Sequence, residues 1–128
     1  MFDAYALMQA QDQLKITDEQ YAQFLVRFKA LQDVRRKALQ EKARIIQDLR
    51  RLTASGTPDD TQVKNRLKEL QELEARSAVD LRKRYDVIDE VLDVRQQARF
   101  RLLEEMMERR KLELVSRARQ ASRQRDRR

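Results

Sequence analysis

The chain has 128 residues, enough for one domain at most, and charged residues make up 40% of it. With one Gly, one Pro and no His or Cys, it lacks the residues for disulfides, thiolate or imidazole chemistry and glycine-rich phosphate loops. The net charge of +7 is concentrated in residues 116–128, which hold six Arg and one Asp, whereas the remainder is nearly balanced. This composition is typical of long helices with narrow apolar seams.

The N-terminus predicts a short amphipathic helix over Phe2–Gln13 that packs against the end of a longer hairpin. No apolar run approaches the length needed to span a membrane, and the first residues do not form a signal peptide. Two expectations follow. The protein is cytoplasmic, or it is exported and its signal peptide is absent from this chain.

A short pattern then occurs twice, 76 residues apart. It consists of a hydrophobic residue, a capping residue, a Gln and a Phe: Ile16, Thr17, Gln20 and Phe24, and then Leu92, Asp93, Gln96 and Phe100. The capping residue can accept a hydrogen bond from a free N–H of the first helical turn, and the Gln three residues later can reach back to the N–H of the cap. Each copy therefore predicts the start of a helix, and its Phe begins a buried stripe.

Between the two copies, apolar residues follow an alternating 4,3 spacing over residues 24–52 and again over residues 63–91. The only Gly and the only Pro lie between these stripes, in residues 53–60. Gly56 is predicted in the left-handed position after a helix, with Thr57 as the next cap and Pro58 as the first helical residue. The sequence therefore predicts a long antiparallel helical hairpin.

The middle of both stripes is polar, and two interpretations stay open there. Lys42 and Glu74 lie close enough in the antiparallel register to pair, which would fix the alignment of the helices. In the favoured alternative, the stripes drift and neighbouring apolar residues take over the seam. Those neighbours are Leu39, Ile46, Leu73 and Ala78.

A third long helix is predicted to begin at Asp93 and to carry Phe100, Leu103, Met107 and Leu114. Since neither Gly nor Pro separates it from the second, one uninterrupted helix from Pro58 to about Ala121 is the alternative; the repeated motif favours a break. Beyond Ala118 no apolar face continues. Residues 1–118 are therefore expected to form a single all-α domain, followed by a basic, frayed tail over residues 119–128.

The doubled pattern resembles the LTxxQ motif of the Spy/CpxP-type periplasmic proteins, a group that also includes heavy-metal-resistance sensors. The order of motif, long helix, turn, long helix, motif and helix over residues 14–115 fits that group. Ile16 stands where the motif has Leu, and Asp93 where it has Thr. The resemblance implies a homodimer shaped as a thin curved cradle, in the periplasm, acting as an ATP-independent chaperone or envelope-stress protein.

Several apolar residues beside the main stripes are framed by basic ones, and such a surface can hold unfolded polypeptide chains loosely. The candidate client-binding residues are Arg27, Val34, Arg35, Leu39, Arg44, Ile46 and Arg50. The alternative is that these apolar residues merely complete a dimer interface. Two other functions also remain open: a cytoplasmic hairpin adaptor that binds one folded protein, and a metal-responsive sensor of the same fold.

Other chemistry finds little support in the sequence. Carboxylates alternate with basic residues as on solvated helix faces, so no catalytic residue and no cofactor are predicted. The best metal candidate is Met106 and Met107 with Glu104, Glu105 and Glu108, but Met at helical spacing is more often core filler, and no metal site is predicted. Nucleic acid is an unlikely partner, because no aromatic residues for base stacking are interleaved with the Arg residues of the tail.

Overall fold

The computed structural model describes Met8, residues 11–57 and residues 59–127. It contains three long helices, α1 (Asp18–Ala54), α2 (Asp60–Asp89) and α3 (Val94–Asp126), and no strand occurs among these residues. The all-α prediction is confirmed. Most of the predicted helix Phe2–Gln13 lies outside the described residues. The described part of that range, Met8 and residues 11–13, is helical. In the described part of the chain, no helix has the length and apolar character needed to cross a bilayer.

Helices α1 and α2 run antiparallel within a compact unit, Ala22–Val91. Ion pairs join the two helices, and residues later in α1 pair with residues earlier in α2. The pairs are Arg27–Glu90 at 3.1 Å, Glu41–Arg76 at 2.9 Å and Asp48–Arg66 at 3.3 Å. Pairs that are this exposed to solvent add little stability, so their main consequence is the alignment of the two helices.

The middle of the seam follows the drift interpretation only in part. Lys42 and Glu74 are both exposed, and the ion pair at this level joins Glu41 and Arg76 instead. Of the residues expected to take over, Leu73 is buried and Ile46 half-buried, whereas Leu39 and Ala78 are exposed. The preceding residues Ala38 and Ser77 are half-buried. Since one residue turns a helix by about 100°, their immediate successors face away from the seam.

The turn between α1 and α2 lies where the sequence predicts it, but two of its details are wrong. Gly56 does not adopt a positive φ, and a Cβ placed on it would meet nothing within 4 Å. The N-cap of α2 is Asp59, not Thr57: its carboxylate accepts hydrogen bonds from the backbone N–H groups of Thr61 at 3.0 Å and Gln62 at 3.4 Å. A carboxylate is favoured there because it also interacts with the positive end of the helix dipole.

This assignment of the cap gives a direct prediction. Replacing Asp59 by Ala should lower the free energy of unfolding by about 1 kcal/mol, because two backbone N–H groups lose their acceptor. The matched change Thr57→Ala should alter it by less than about 0.5 kcal/mol. Urea denaturation followed by circular dichroism measures both. A larger loss for Thr57→Ala than for Asp59→Ala would contradict the assignment.

The predicted break after the second helix is confirmed. Helix α2 ends at Asp89, and α3 begins at Val94 with Asp93 as its N-cap, so the uninterrupted helix is excluded. At its other end α3 continues to Asp126, whereas the sequence predicts a frayed tail from residue 119. The physical reason is intrinsic propensity, since Ala, Arg and Gln, which dominate this segment, are all good helix formers.

The chain divides into two compact units, and this division does not fall at the boundary predicted after residue 118. One unit is Ala22–Val91, and the other combines Met1–Tyr21 with Leu92–Arg128. The buried apolar residues of the first are Phe24, Phe28, Leu31, Leu73 and Ile88. Those of the second are Leu14, Ile16, Leu92, Phe100 and Leu103, which include residues of both motif copies.

Candidate functional site

Both copies of the repeated motif form capping boxes, as the sequence predicts. The backbone N–H of Thr17 donates to Gln20 Oε1 at 3.1 Å, and the N–H of Gln20 donates to Thr17 Oγ1 at 3.2 Å. The N–H of Asp93 donates to Gln96 Oε1 at 3.0 Å, and the N–H of Gln96 donates to Asp93 Oδ1 at 2.8 Å. Thus each copy satisfies two backbone donors at the start of its helix.

The two motif glutamines also bind each other, which sequence reasoning missed. Gln20 Nε2 donates to Gln96 Oε1 at 2.9 Å, and Gln96 Nε2 donates to Gln20 Oε1 at 2.9 Å. We call this reciprocal contact the glutamine pair. The only signal in the sequence was the equal offset of Gln from the cap in both copies. That spacing leaves both amides free to reach beyond their own helices.

Gln96 is the more constrained member of the pair. It is 5% exposed, and it is the one buried polar residue in the described part of the chain. Gln96 Nε2 also donates a hydrogen bond to the carbonyl oxygen of Lys15 at 3.2 Å. Gln96 therefore uses two donors and two acceptor positions, the full capacity of an amide side chain. Lys15 itself has φ 54°, a left-handed conformation that is costly for a residue with a Cβ.

The hydrophobic members of the motif are all buried. Ile16 and Leu92 precede the two caps, and Phe24 and Phe100 follow one turn later. Of the polar members, Thr17 and Asp93 are exposed, whereas Gln20 is half-buried. A buried amide network of this kind is stabilising only because every member is hydrogen-bonded.

The structure separates the seven candidate client-binding residues, all of which lie on α1. Arg27 donates to the carbonyl of Val87 and pairs with Glu90. Arg35 donates to the hydroxyl of Tyr85, and its guanidinium lies 5.4 Å from the centroid of that ring. Both guanidinium groups therefore have partners within the chain, and their part in client binding stays a prediction.

The other five candidates differ in exposure. Val34 and Ile46 are half-buried, whereas Leu39, Arg44 and Arg50 are exposed. Arg44 faces away from Ile46, because residues two apart in a helix do not share a face. Leu39, Ile46 and Arg50 follow a 7,4 spacing and do share one. These three residues define the α1 face.

Acidic residues do not converge into a metal site in the described residues. No group of three or more Asp or Glu side chains there is placed to hold a metal ion. Within the Met and Glu cluster of α3, Met107 is half-buried and Met106 is 40% exposed. Glu105 pairs with Arg109 at 2.8 Å, one turn further along the helix.

Comparison with known proteins identifies no family for this chain. No protein-family model, curated protein or solved structure matches the chain. The similarity to the LTxxQ motif therefore rests on the eight motif residues and the order of the helices. The activity, location and assembly implied by that similarity are proposals.

Proposed function

We propose that this protein is an ATP-independent chaperone or envelope-stress protein of Spy/CpxP type, which holds unfolded polypeptides on the α1 face. The observation that carries the proposal is Leu39, which is 62% exposed on the same side of α1 as Ile46 and the exposed Arg50. Leu39 and Arg50 lie about 16 Å apart along this side of the helix, so they offer an extended client apolar contact at one point and charge attraction at another.

The glutamine pair supports the proposal in a structural role. In both copies the cap and the Gln are tied together, and the two amides join the copies at 2.9 Å. Because the two copies of the motif bind each other, we assign the motif a role in stabilising the fold. The proposed binding surface accordingly lies elsewhere, on α1, and needs no cofactor.

Location and assembly are part of the same proposal. The resemblance implies the periplasm and a homodimer in which the α1 face of each copy contributes to a shared client surface. Long helices with narrow seams bury little apolar area per residue, so a second copy would also cover apolar residues that one chain leaves exposed. Analytical ultracentrifugation of the purified chain tests the homodimer.

The proposed function is tested by aggregation of an unfolding client protein. At stoichiometric amounts the protein should suppress light scattering without ATP. The double variant Leu39→Asn/Arg50→Gln should need an about fivefold higher concentration for the same suppression, the effect of losing roughly 1 kcal/mol of contact. A matched control on α2, Val79→Asn/Lys83→Gln, removes one residue that is 56% exposed and one exposed cation and should act like the unmodified protein.

Each other outcome rejects part of the proposal. No suppression by the unmodified protein rejects chaperoning. Equal suppression by both variants removes the α1 face as the binding surface. Tight binding to one folded protein at fixed stoichiometry, without suppression of aggregation, would identify the chain as an adaptor instead.

A further inference from the structure

The second half of α3 is a helix with no covered side. Every described residue from Glu108 to Arg127 is exposed, and α3 remains helical to Asp126. We call residues 108–127 the basic arm. It holds eight basic and three acidic residues, a net charge of +5. Because no side of this segment is covered, its side chains are accessible to a binding partner.

The cations of the arm are available to a partner. Five Arg residues from position 117 onward form no ion pair with any residue that the structure describes: Arg117, Arg119, Arg123, Arg125 and Arg127. Nearer its start, by contrast, Arg109 pairs with Glu105. Arg residues without an ion-pair partner among the described residues are therefore concentrated toward the C-terminal end of α3.

The distribution of these charges around the helix argues against a flat anionic surface as the partner. Arg117 and Arg119 are two residues apart and face opposite sides, as do Arg123 and Arg125. A helix that lies on a bilayer needs one apolar and one charged side. In the basic arm, cations lie on all sides of the helix. A flexible chain that wraps around the helix could contact them all, whereas a flat surface could not.

Apolar residues at the start of the arm distinguish between two flexible polyanions. Leu112, Leu114 and Val115 are 67%, 51% and 45% exposed. A phosphate backbone offers no apolar partner to them, and no aromatic residue follows Phe100 to stack on unpaired bases. An unfolded polypeptide that carries both carboxylates and apolar side chains complements the whole arm.

We infer that the basic arm binds acidic, unfolded polypeptide segments, so that acidic clients are the preferred class. The inference rests on the proposed function and deepens it, since it adds a second contact beside the α1 face. Long-range attraction by the arm would raise the rate of encounter, and the apolar residues would prolong the contact.

The test uses the full chain and three fluorescent probes: a disordered peptide rich in Glu and Leu, the same peptide with Lys for Glu, and a short DNA duplex. The variant Arg117→Gln/Arg119→Gln/Arg123→Gln/Arg125→Gln keeps good helix formers and should raise the Kd for the acidic peptide about tenfold, as expected for four exposed ion pairs. The control Lys37→Gln/Lys64→Gln/Lys68→Gln/Lys83→Gln removes the same net charge from exposed sites on α1 and α2. Circular dichroism verifies that both variants are helical.

The control should bind the acidic peptide within about twofold of the unmodified protein, and the Lys peptide should bind no variant. Equal weakening by both sets of substitutions would show that only the net charge matters and would overturn the inference. Tighter binding of the DNA duplex than of the acidic peptide would overturn it as well. Loss of acidic-peptide binding with undiminished suppression of a neutral client's aggregation separates the arm from the α1 face.

Discussion

Replacing Phe100 by Ala is expected to lower the free energy of unfolding by about 3–5 kcal/mol. Phe100 is 0% exposed, and the guanidinium of Arg101 lies 5.5 Å from its ring centroid. The substitution removes a large apolar surface from the core and leaves a cavity that the long helix can close only in part. Urea denaturation followed by far-ultraviolet circular dichroism measures the loss.

The neighbouring residue Leu102 provides the control. It lies on the same helix and is 69% exposed, so Leu102→Ala should change the free energy of unfolding by less than about 0.5 kcal/mol. Phe24 occupies the equivalent position in the first motif copy and is 1% exposed, so Phe24→Ala should be about as costly as Phe100→Ala. A loss below about 1 kcal/mol for Phe100→Ala would mean that this residue is not part of a tightly packed core.

Helix starts were predictable here because they depend on local chemistry. A cap and its Gln are only three residues apart, so the spacing in the sequence determines whether they can bond. The starts of α1 at Asp18 and α3 at Val94 follow directly from Thr17 and Asp93. The start of α2 was predicted less well because Thr57 and Asp59 are both good caps, and the sequence does not say which of them reaches the free N–H groups.

The contacts between distant residues were not predictable in the same way. The sequence of α1 predicts that Arg27 and Arg35 form a basic edge. In the structure, Arg27 pairs with Glu90 at the end of α2, and Arg35 donates a hydrogen bond to the hydroxyl of Tyr85. The drift interpretation placed Leu39 in the seam, but Leu39 is exposed and the half-buried Ala38 lies at that level. The relative rotation of α1 and α2 decides both outcomes, and a 4,3 pattern fixes that rotation only to within about one residue.

The glutamine pair yields the second large expected effect. Gln96→Ala should lower the free energy of unfolding by about 2–4 kcal/mol. The backbone N–H of Asp93, the carbonyl of Lys15 and the amide of Gln20 each lose a partner close to a residue that is 5% exposed. Leaving partly buried polar groups without partners adds a desolvation cost to the loss of the hydrogen bonds themselves.

The adjacent Gln97 is the matched control for Gln96. Its amide donates to the carbonyl of Leu92 at 3.0 Å, but the residue is only half-buried, so Gln97→Ala should cost about 1 kcal/mol or less. A double-mutant cycle of Gln20→Ala and Gln96→Ala should give a coupling energy of about 1–2 kcal/mol, because the two amides bond directly. Additive losses would argue that each Gln acts only within its own capping box.

The substitution Gln96→Glu separates hydrogen bonding from packing, because Glu has nearly the same shape as Gln. An ionised Glu has no proton to donate, so its oxygens would face the carbonyl of Lys15 and Gln20 Oε1, both of which are acceptors. We expect Gln96→Glu at neutral pH to cost at least as much as Gln96→Ala, since it adds a buried charge to the lost donors. If Gln96→Glu instead left the free energy of unfolding within about 0.5 kcal/mol, shape alone would hold the two motif copies together. The hydrogen bonds of the Gln96 amide would then contribute little to the free energy of unfolding.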